Sequence, residues 1–185
     1  MTVMPIYVAP HPVLKTRGEV ITTLDAKTRK LMDDMLETMY ANDGIGLAAP
    51  QVGVSLRVIV MDLAQKEGEG AAKKGVPRFF VNPEIVWSSE EMRSYNEGCL
   101  SIPGQYADVE RPDRVRVKYL DYEGKVQEEE AAGLFSTCIQ HEIDHIDGIL
   151  FIDHLTALKR NMVMRKLKKF TRENAEDMKH SHILL

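Results

Sequence analysis

The chain has 185 residues and a mass of 21.0 kDa, the size of one compact domain with a short terminal extension. Its composition, 44% hydrophobic and 28% charged, supports a sizeable core and excludes a disordered, collagen-like or low-complexity chain. The 24 basic and 28 acidic residues give a net charge of −4, which excludes a whole-protein basic field for binding nucleic acid or an anionic membrane.

The N-terminal segment predicts a protein that is not exported. Residues 1–10 contain no basic leader followed by an apolar run, and Pro5 and Pro10 interrupt the segment. No apolar stretch reaches the roughly 20 residues that cross a bilayer. We therefore expect a soluble, cytoplasmic protein in which Cys99 and Cys138 are reduced thiols.

Hydrophobic periodicity predicts helices towards both ends of the chain and strands between them. Leu31, Met35 and Met39 are spaced as on one face of a helix, whereas Val115 and Val117 alternate with basic residues as on a half-exposed strand. In chain order, the predicted elements are a helix at 25–42, a glycine-bearing segment at 44–53, a buried strand at 56–61, a mobile polar loop at 65–75, a strand at 78–86 interrupted at Pro83, a hairpin at 114–131, a helix from Leu134 to about 149 and a helix from Leu155 to Phe170.

The order of these elements predicts an α+β fold. We expect mostly antiparallel sheets packed around one central helix, with further helices at the N-terminal and C-terminal ends. Residues 1–170 are expected to form a single domain that includes a basic C-terminal helix, and 171–185 a flexible tail. His180 and His182 in that tail are expected to be exposed to solvent.

The predicted helix that begins at Leu134 contains the sequence H-E-x-x-H. His141 and His145 lie one helical turn apart, with about 5–6 Å between their Cβ atoms, so both rings can reach one metal ion. Glu142 projects beside them, where it can take a proton from water without being a ligand itself. A chance pairing on a solvated face is the alternative. Against it, Leu134 and Cys138 share the face of the two histidines, which places the rings in the interior, where a metal ion supplies their partners.

A catalytic metal site usually has three protein ligands and one open position, so a third ligand is needed. In the longer motif H-E-x-x-H-x-x-G-x-x-H the third histidine position holds Phe151, which excludes that class of protease. Cys138 lies roughly 10 Å along the helix from His145, too far to share an ion, and is expected to be a core thiol. The residues leave two candidates: Glu173, which follows a basic stretch, and Cys99.

Three segments resemble the signature motifs of the peptide deformylase family in their order and spacing. They are residues 44–51 (GIGLAAPQ), 97–101 (EGCLS) and 140–145 (QHEIDH). The resemblance covers the chain from about residue 6 to residue 170. It implies that the chain forms a single catalytic domain. It also implies that the protein is a metal-dependent hydrolase that removes the N-formyl group from the N-terminal methionine of newly made polypeptides and releases formate.

The resemblance also implies a role for each residue that matches a motif. Glu142 would be the general acid and base, and the Gln51 side-chain amide and the Leu100 backbone N–H would bind the developing oxyanion. From the residues alone, Ile45 and Leu134 fit ordinary core packing equally well. The implied metal ligands are Cys99, His141 and His145. The implied substrate-binding residues are Ile45, Gly46, Gly98, Leu134, Cys138 and Tyr106.

One position departs from the pattern of many bacterial members. They have an arginine seven residues after the cysteine, where this chain has Tyr106, a variant that is similar to organellar members. We expect no effect on the metal chemistry. How the outer part of the peptide is held stays open, because tyrosine offers stacking and one hydroxyl in place of a fixed charge.

The implied cofactor is one divalent metal ion. Two imidazoles and a thiolate suit Zn²⁺, and Fe²⁺, Co²⁺ and Ni²⁺ also fit such a donor set. What is known of the family implies Fe²⁺ in the cell, with Zn²⁺, Ni²⁺ or Co²⁺ able to replace it.

The C-terminal helix carries a basic run with no acidic residue between Thr156 and Phe170. One interpretation is a solvated charged face that covers the core. The other is a contact with ribosomal RNA phosphates, which the resemblance implies because bacterial members act on chains emerging from the ribosome. The expected partners are N-formylmethionyl nascent peptides and, through this helix, the ribosome; we expect a monomer and no membrane contact. The basic residues are Lys159, Arg160, Arg165, Lys166, Lys168 and Lys169.

Two other functions remain open at this point. An H-E-x-x-H endopeptidase would use Glu173 as its third ligand and would release internal peptides. A non-catalytic RNA- or ribosome-binding protein would keep its metal for stability and would be inactive when loaded with metal. The joint occurrence of three motifs favours the deformylase activity.

Overall fold

The computed structural model describes residues 2–63, 75–180 and 183–184. The predicted polar loop at 65–75, apart from residue 75, therefore lies outside the described residues. His182 and the side chain of His180, both predicted to be exposed, lie outside them as well. The helices are α1 (Ala26–Ala41), α2 (Gly133–Ile146), α3 (Ala157–Glu173) and α4 (Ala175–His180). The strands are β1 (Ile6–Tyr7), β2 (Gly46–Ala48), β3 (Val58–Met61), β4 (Arg78–Ser88), β5 (Met92–Cys99), β6 (Ile102–Pro112), β7 (Arg114–Leu120), β8 (Val126–Ala132) and β9 (Ile183–Leu184). Short 3₁₀ helices lie at Pro12–Lys15, Ala49–Val52 and Phe151–His154.

The strands form one main sheet and two small ones. The main sheet has five strands in the order β2-β3-β4-β7-β8, and every neighbouring pair in it is antiparallel. Strands β5 and β6 form a separate antiparallel hairpin, and β1 pairs in parallel with β9. The prediction of an α+β fold with mostly antiparallel sheets is confirmed.

Helix α2 lies at the centre because it covers one face of the main sheet while α1 covers the other. Strand β3 shows this most directly, because side chains alternate between the faces of a strand. Ile59 of β3 packs in a cluster with Ile139 of α2, and Val60 packs in a second cluster with Met35 of α1. All residues of β3 are fully buried as a result, which explains why its sequence is a continuous apolar run.

A third cluster holds the β5–β6 hairpin against the end of α2. Ile102 and Val109 of β6 pack with Phe151, Leu167 of α3 and Leu14 near the N-terminus. This packing fixes the turn between β5 and β6 beside α2. The hairpin is therefore part of the same core and not an independent arm.

Each predicted helix and strand has a counterpart in the structure, but strands β1, β2, β5, β6 and β9 and helix α4 were not predicted. Strand β5 was missed because most of it is exposed on both faces and has no alternating pattern. The interruption expected at Pro83 is a shift of register between Val81 and Glu84 within one continuous strand, β4.

The described part of the chain after Phe170 is helical as far as His180 and ends in the short strand β9. Helix α3 continues three residues beyond Phe170, and Met178 of α4 is buried in the third cluster. The division into a domain at 1–170 and a tail at 171–185 stays a prediction. No helix among the described residues has the length and apolar character needed to cross a membrane.

Helix α2 ends in a Schellman motif at Gly148. The Gly148 N–H donates to the His145 carbonyl at 3.1 Å, and the Ile149 N–H donates to the Asp144 carbonyl at 2.8 Å. Gly148 has φ +76°, and a Cβ at this position would lie 2.6 Å from the Lys15 carbonyl oxygen. The motif thus brings the metal-motif helix into direct contact with the N-terminal segment.

Gly148→Ala is expected to lower the free energy of unfolding by roughly 2–3 kcal/mol, because it adds a backbone clash to the cost of a left-handed alanine. Gly124→Ala is the matched control: Gly124 has φ +86°, but a Cβ there would meet only Leu24, at 3.4 Å. Its expected loss is about 1 kcal/mol. Urea unfolding of both variants measures the difference, and equal losses would contradict the close approach at Gly148.

Candidate metal centre

Three potential metal ligands meet at the junction of α2 and the β5–β6 turn. The Cys99 Sγ lies 3.1 Å from the His145 Nε2. The donor atoms of Cys99, His141 and His145 all lie within 4.8 Å of one another. Two donors bound tetrahedrally to one zinc-sized ion would be about 3.6 Å apart. The spacing of these three side chains therefore suits a single ion.

Cys99 reaches α2 because the β5–β6 pairing is irregular at that point. Gly98 pairs with Tyr106, but Cys99 pairs with Ile102, so the register shifts between adjacent residues of β5. The Ser101 carbonyl accepts a hydrogen bond from the Ala9 N–H at 2.9 Å, which fixes the turn to the N-terminal segment. The turn therefore holds the thiol facing the histidines.

A buried ion network orients the ring of His141. The His141 Nδ1 bonds to the Glu97 Oε2 at 2.8 Å, which leaves the Nε2 of the same ring free to bind a metal. Arg111 Nε donates to the Glu97 Oε1 at 2.6 Å, and Arg111 Nη1 donates to the Asp144 Oδ2 at 2.8 Å. The His154 Nε2 lies 2.7 Å from the same Asp144 oxygen. The network joins β5, β6, α2 and the following 3₁₀ helix.

The charges of the network explain the protonation of its members. Burial alone would raise the pKa of Glu97, but hydrogen bonds from His141 and Arg111 hold that pKa below its usual value. Glu97 is therefore an ionised acceptor for His141. Burial lowers the pKa of His145 well below its usual range, with help from the neighbouring His141. His145 is thus a neutral imidazole, the form that binds metals.

Glu142 lies in the cleft without being part of the ligand group. The side chain is 4% exposed, and burial raises its pKa to about 7. Its Oε2 is a buried atom without a hydrogen-bond partner among the described residues. A Cβ on Gly46 would lie 2.5 Å from the Glu142 Oε1, so the missing side chain of Gly46 makes room for the carboxylate.

The amide of Gln51 also faces the thiol. Gln51 lies in the 3₁₀ helix after β2 and is 1% exposed. Its Oε1 accepts a hydrogen bond from the Ala48 N–H at 2.9 Å. Its Nε2 lies 3.1 Å from the Ser101 Oγ and 3.5 Å from the Cys99 Sγ. A hydrogen-bond donor is therefore held beside the ligand group.

These side chains line one cleft of about 320 Å³. Tyr106 lies at its rim with 67% of its surface exposed, and its ring covers Gly98 so closely that a Cβ there would lie 2.4 Å from the ring. His145 does not line the cleft, but its Nε2 contacts the Sγ of Cys99, which does. The other predicted site residues all line it: Ile45, Gly46, Gln51, Gly98, Cys99, Leu100, Tyr106, Leu134, Cys138, His141 and Glu142.

The residues present fit a divalent metal ion. One thiol and two imidazoles are a donor set for zinc and the neighbouring transition metals. The donors lie next to a buried carboxylate oxygen that has no partner among the described residues, so a water or substrate bound beside the ion would have an acceptor. Glu173, the other candidate ligand, is not in the group; it is exposed at the end of α3 and lies 3.9 Å from Lys169. The geometry thus selects Cys99 over Glu173.

Several contacts of the site carry no signal in the sequence. Arg111 lies outside the three signature motifs. Its pairing with Glu97 depends on how β5 pairs with β6. Asp144 lies inside the H-E-x-x-H sequence but points to Arg111 and His154. Ser101 lies inside a signature motif, which was the one available indication that it has a place in the site. Cys138 is 6% exposed and packs in the core as predicted, while it also lines the cleft.

Comparison with known proteins places this chain in a family. The family model described as polypeptide deformylase matches residues 3–161. A peptide deformylase of Phenylobacterium zucineum is 56% identical over 169 residues, which are 91% of this chain and 97% of the relative. A peptide deformylase of Mesorhizobium japonicum is 54% identical over 175 residues, 95% of this chain and 97% of the relative.

Solved structures agree with the sequence comparison. The crystal structure of a peptide deformylase from Legionella pneumophila has a TM-score of 0.86 and 43% identity, and the match covers 95% of this chain and 99% of that one. A peptide deformylase from Ehrlichia chaffeensis in complex with actinonin has a TM-score of 0.85 and 44% identity, covering 93% of this chain and 99% of that one. The chain belongs to the peptide deformylase family.

Proposed function

We propose that this peptide deformylase removes the formyl group from the N-terminal methionine of newly made polypeptides at the site formed by Cys99, His141 and His145. The observation that carries the proposal is the meeting of these three donors beside Glu142, in a cleft open to solvent. The products are formate and a polypeptide with a free amino terminus.

The proposed cofactor is Fe²⁺, with Zn²⁺, Ni²⁺ or Co²⁺ able to replace it. The mixed thiolate and imidazole donor set suits all four ions. The choice of Fe²⁺ among them follows from the family resemblance. When bound, the ion supplies Lewis-acid chemistry, polarising the formyl carbonyl and lowering the pKa of the attacking water.

Glu142 is the proposed general acid and base. Its carboxylate takes a proton from the attacking water as the oxygen bonds to the formyl carbon. When the bond between that carbon and the methionine nitrogen breaks, Glu142 returns the proton to the departing amine. Burial supports this double role, because a pKa raised to about 7 suits both accepting and donating a proton near neutral pH.

Gln51 and Leu100 are the proposed donors to the oxyanion that forms on the formyl oxygen. The Gln51 Nε2 already points to the Cys99 Sγ at 3.5 Å, and Leu100 lines the cleft next to Cys99. Donors held in position before the charge develops need no rearrangement during the reaction. They therefore bind the transition state more strongly than the substrate.

The substrate is proposed to add an extended segment beside β2. This strand is at the edge of the main sheet, and its residue Gly46 lines the cleft. Backbone hydrogen bonds to an edge strand are largely independent of side chains, which suits an enzyme that meets many nascent chains. The proposed walls around the methionine side chain are Ile45, Leu134 and Cys138, with Gly98 and Tyr106 at the outer rim.

The protein purified anaerobically with Fe²⁺ is expected to release formate from formyl-Met-Ala-Ser. Glu142→Gln with the metal retained is expected to lower kcat by roughly 10²–10⁴ fold, since the proton acceptor is lost while the shape is kept. Glu173→Gln makes the same chemical change outside the cleft and is expected to keep full activity. The metal content of each sample is measured alongside the formate.

Near-normal kcat for metal-loaded Glu142→Gln would refute the role of Glu142. Loss of metal and activity in Glu173→Gln would instead support the endopeptidase alternative. Release of internal peptides by the wild-type protein would do the same.

We further propose that the enzyme works in the cytoplasm as a monomer that contacts the ribosome through α3. The exposed side chains of Lys159, Arg165, Lys166 and Lys169 support an electrostatic contact with RNA phosphates. Co-sedimentation with ribosomes is expected to fall as salt rises, and Lys166→Glu is expected to weaken it more than Lys118→Glu on β7. No association at low salt, or association insensitive to salt, would contradict this contact.

A further inference from the structure

We propose that Ser101 is a positioning residue for the reaction, because its hydroxyl holds the Gln51 amide with the Nε2 facing the cleft. The inference rests on the proposed role of Gln51 as an oxyanion donor. It goes beyond that role by assigning what keeps the donor in place.

The amide of a glutamine can present either its oxygen or its nitrogen to a given neighbour, because rotation about its last torsion is loosely restricted. The Ala48 N–H decides between the two orientations. A backbone N–H can only donate, and it lies 2.9 Å from the Gln51 Oε1. The nitrogen must then lie on the opposite side, towards Cys99.

Ser101 decides what the two hydrogens of that nitrogen do. The Ser101 Oγ lies 3.1 Å from the Gln51 Nε2 and accepts one hydrogen. The second hydrogen is directed towards the Cys99 Sγ, 3.5 Å away. It is therefore the hydrogen that can turn to an oxygen developing negative charge in the cleft.

Burial makes the contribution of Ser101 hard to replace. Ser101 is fully buried and Gln51 is 1% exposed, so bulk water has no direct access to the bond between them. Without the Ser101 oxygen, one buried N–H of Gln51 would lack an acceptor, and the amide would rotate to recover one. The donor would then leave the position in which it faces the formyl oxygen.

The position of Ser101 is itself fixed from both sides. Its backbone N–H points to the Cys99 Sγ at 3.4 Å, and its carbonyl accepts from the Ala9 N–H at 2.9 Å. The backbone contacts survive a change of the side chain. An effect of Ser101→Ala on the reaction would therefore report the hydroxyl and not the turn.

The test is a double-mutant cycle with the iron-loaded enzyme and formyl-Met-Ala-Ser. Ser101→Ala is expected to lower kcat about tenfold, the factor for one buried hydrogen bond, with KM within about twofold because the donor acts in the transition state. In a Gln51→Ala background the same change is expected to alter kcat by less than about twofold, because its target is gone. A similar loss in both backgrounds, or no loss in the single variant, would overturn the proposal.

Two further variants separate positioning from general stability. Ser101→Thr keeps the acceptor oxygen and is expected to retain kcat within about threefold; a loss as large as that of alanine would contradict the proposal. Ser136→Ala is the matched control, because the buried Ser136 Oγ accepts from the Gln140 Nε2 at 2.9 Å outside the cleft. Ser136→Ala is expected to leave kcat unchanged while lowering thermal stability by about as much as Ser101→Ala does.

The same cycle distinguishes failure of the inference from failure of the proposed function. If metal-loaded Gln51→Ala keeps wild-type kcat, the role of Gln51 is wrong, and the inference is wrong with it. If Gln51→Ala is slow but Ser101→Ala adds independently to it, the role of Gln51 stands and only the inference is overturned.

Discussion

The structure depends on bringing one thiol against two imidazoles that lie more than 40 residues further along the chain. The contact of Cys99 with His145, at 3.1 Å, requires the β5–β6 turn to meet α2 at a fixed place. A buried ion network secures that meeting, because Arg111 on β6 bonds both to Glu97 on β5 and to Asp144 on α2. Removing one member of such a network leaves a buried charge without a partner, which costs far more than the intact network contributes. The network that orients His141 is thus also the one that joins the two halves of the site.

The sequence predicted elements well where each face of an element has one environment. Helix α1 has an apolar stripe because only one side of it meets the sheet, and β3 is an apolar run because both faces are covered. Strand β5 was not predicted because it has no such pattern: Met92 to Asn96 are exposed, and the strand is defined by its pairing with β6. Pairing between strands is a property of the folded chain, which local periodicity does not report.

The same distinction applies to the residues of the site: those on one helix could be predicted from the sequence, and contacts between separate elements could not. Helical spacing was sufficient to place His141, Glu142 and His145 together, because the three residues share one helix. The choice between Cys99 and Glu173 as third ligand could not be made from spacing, because it depends on the distance between separate elements; the family resemblance indicated Cys99 and the geometry agrees. Contacts that cross elements, such as those of Arg111 and of Ser101 with Gln51, needed the folded structure for the same reason.

X-ray absorption at the zinc edge, measured on the zinc-loaded wild-type protein and on zinc-loaded Cys99→Ser, tests whether Cys99 holds the metal together with the two histidines. We expect one sulfur neighbour at about 2.3 Å and nitrogen neighbours at about 2.0–2.1 Å in the wild-type protein, and no sulfur neighbour in the variant. A wild-type spectrum without sulfur, or a sulfur neighbour that persists in Cys99→Ser, would show that the metal is held elsewhere and that Cys99 is not a ligand.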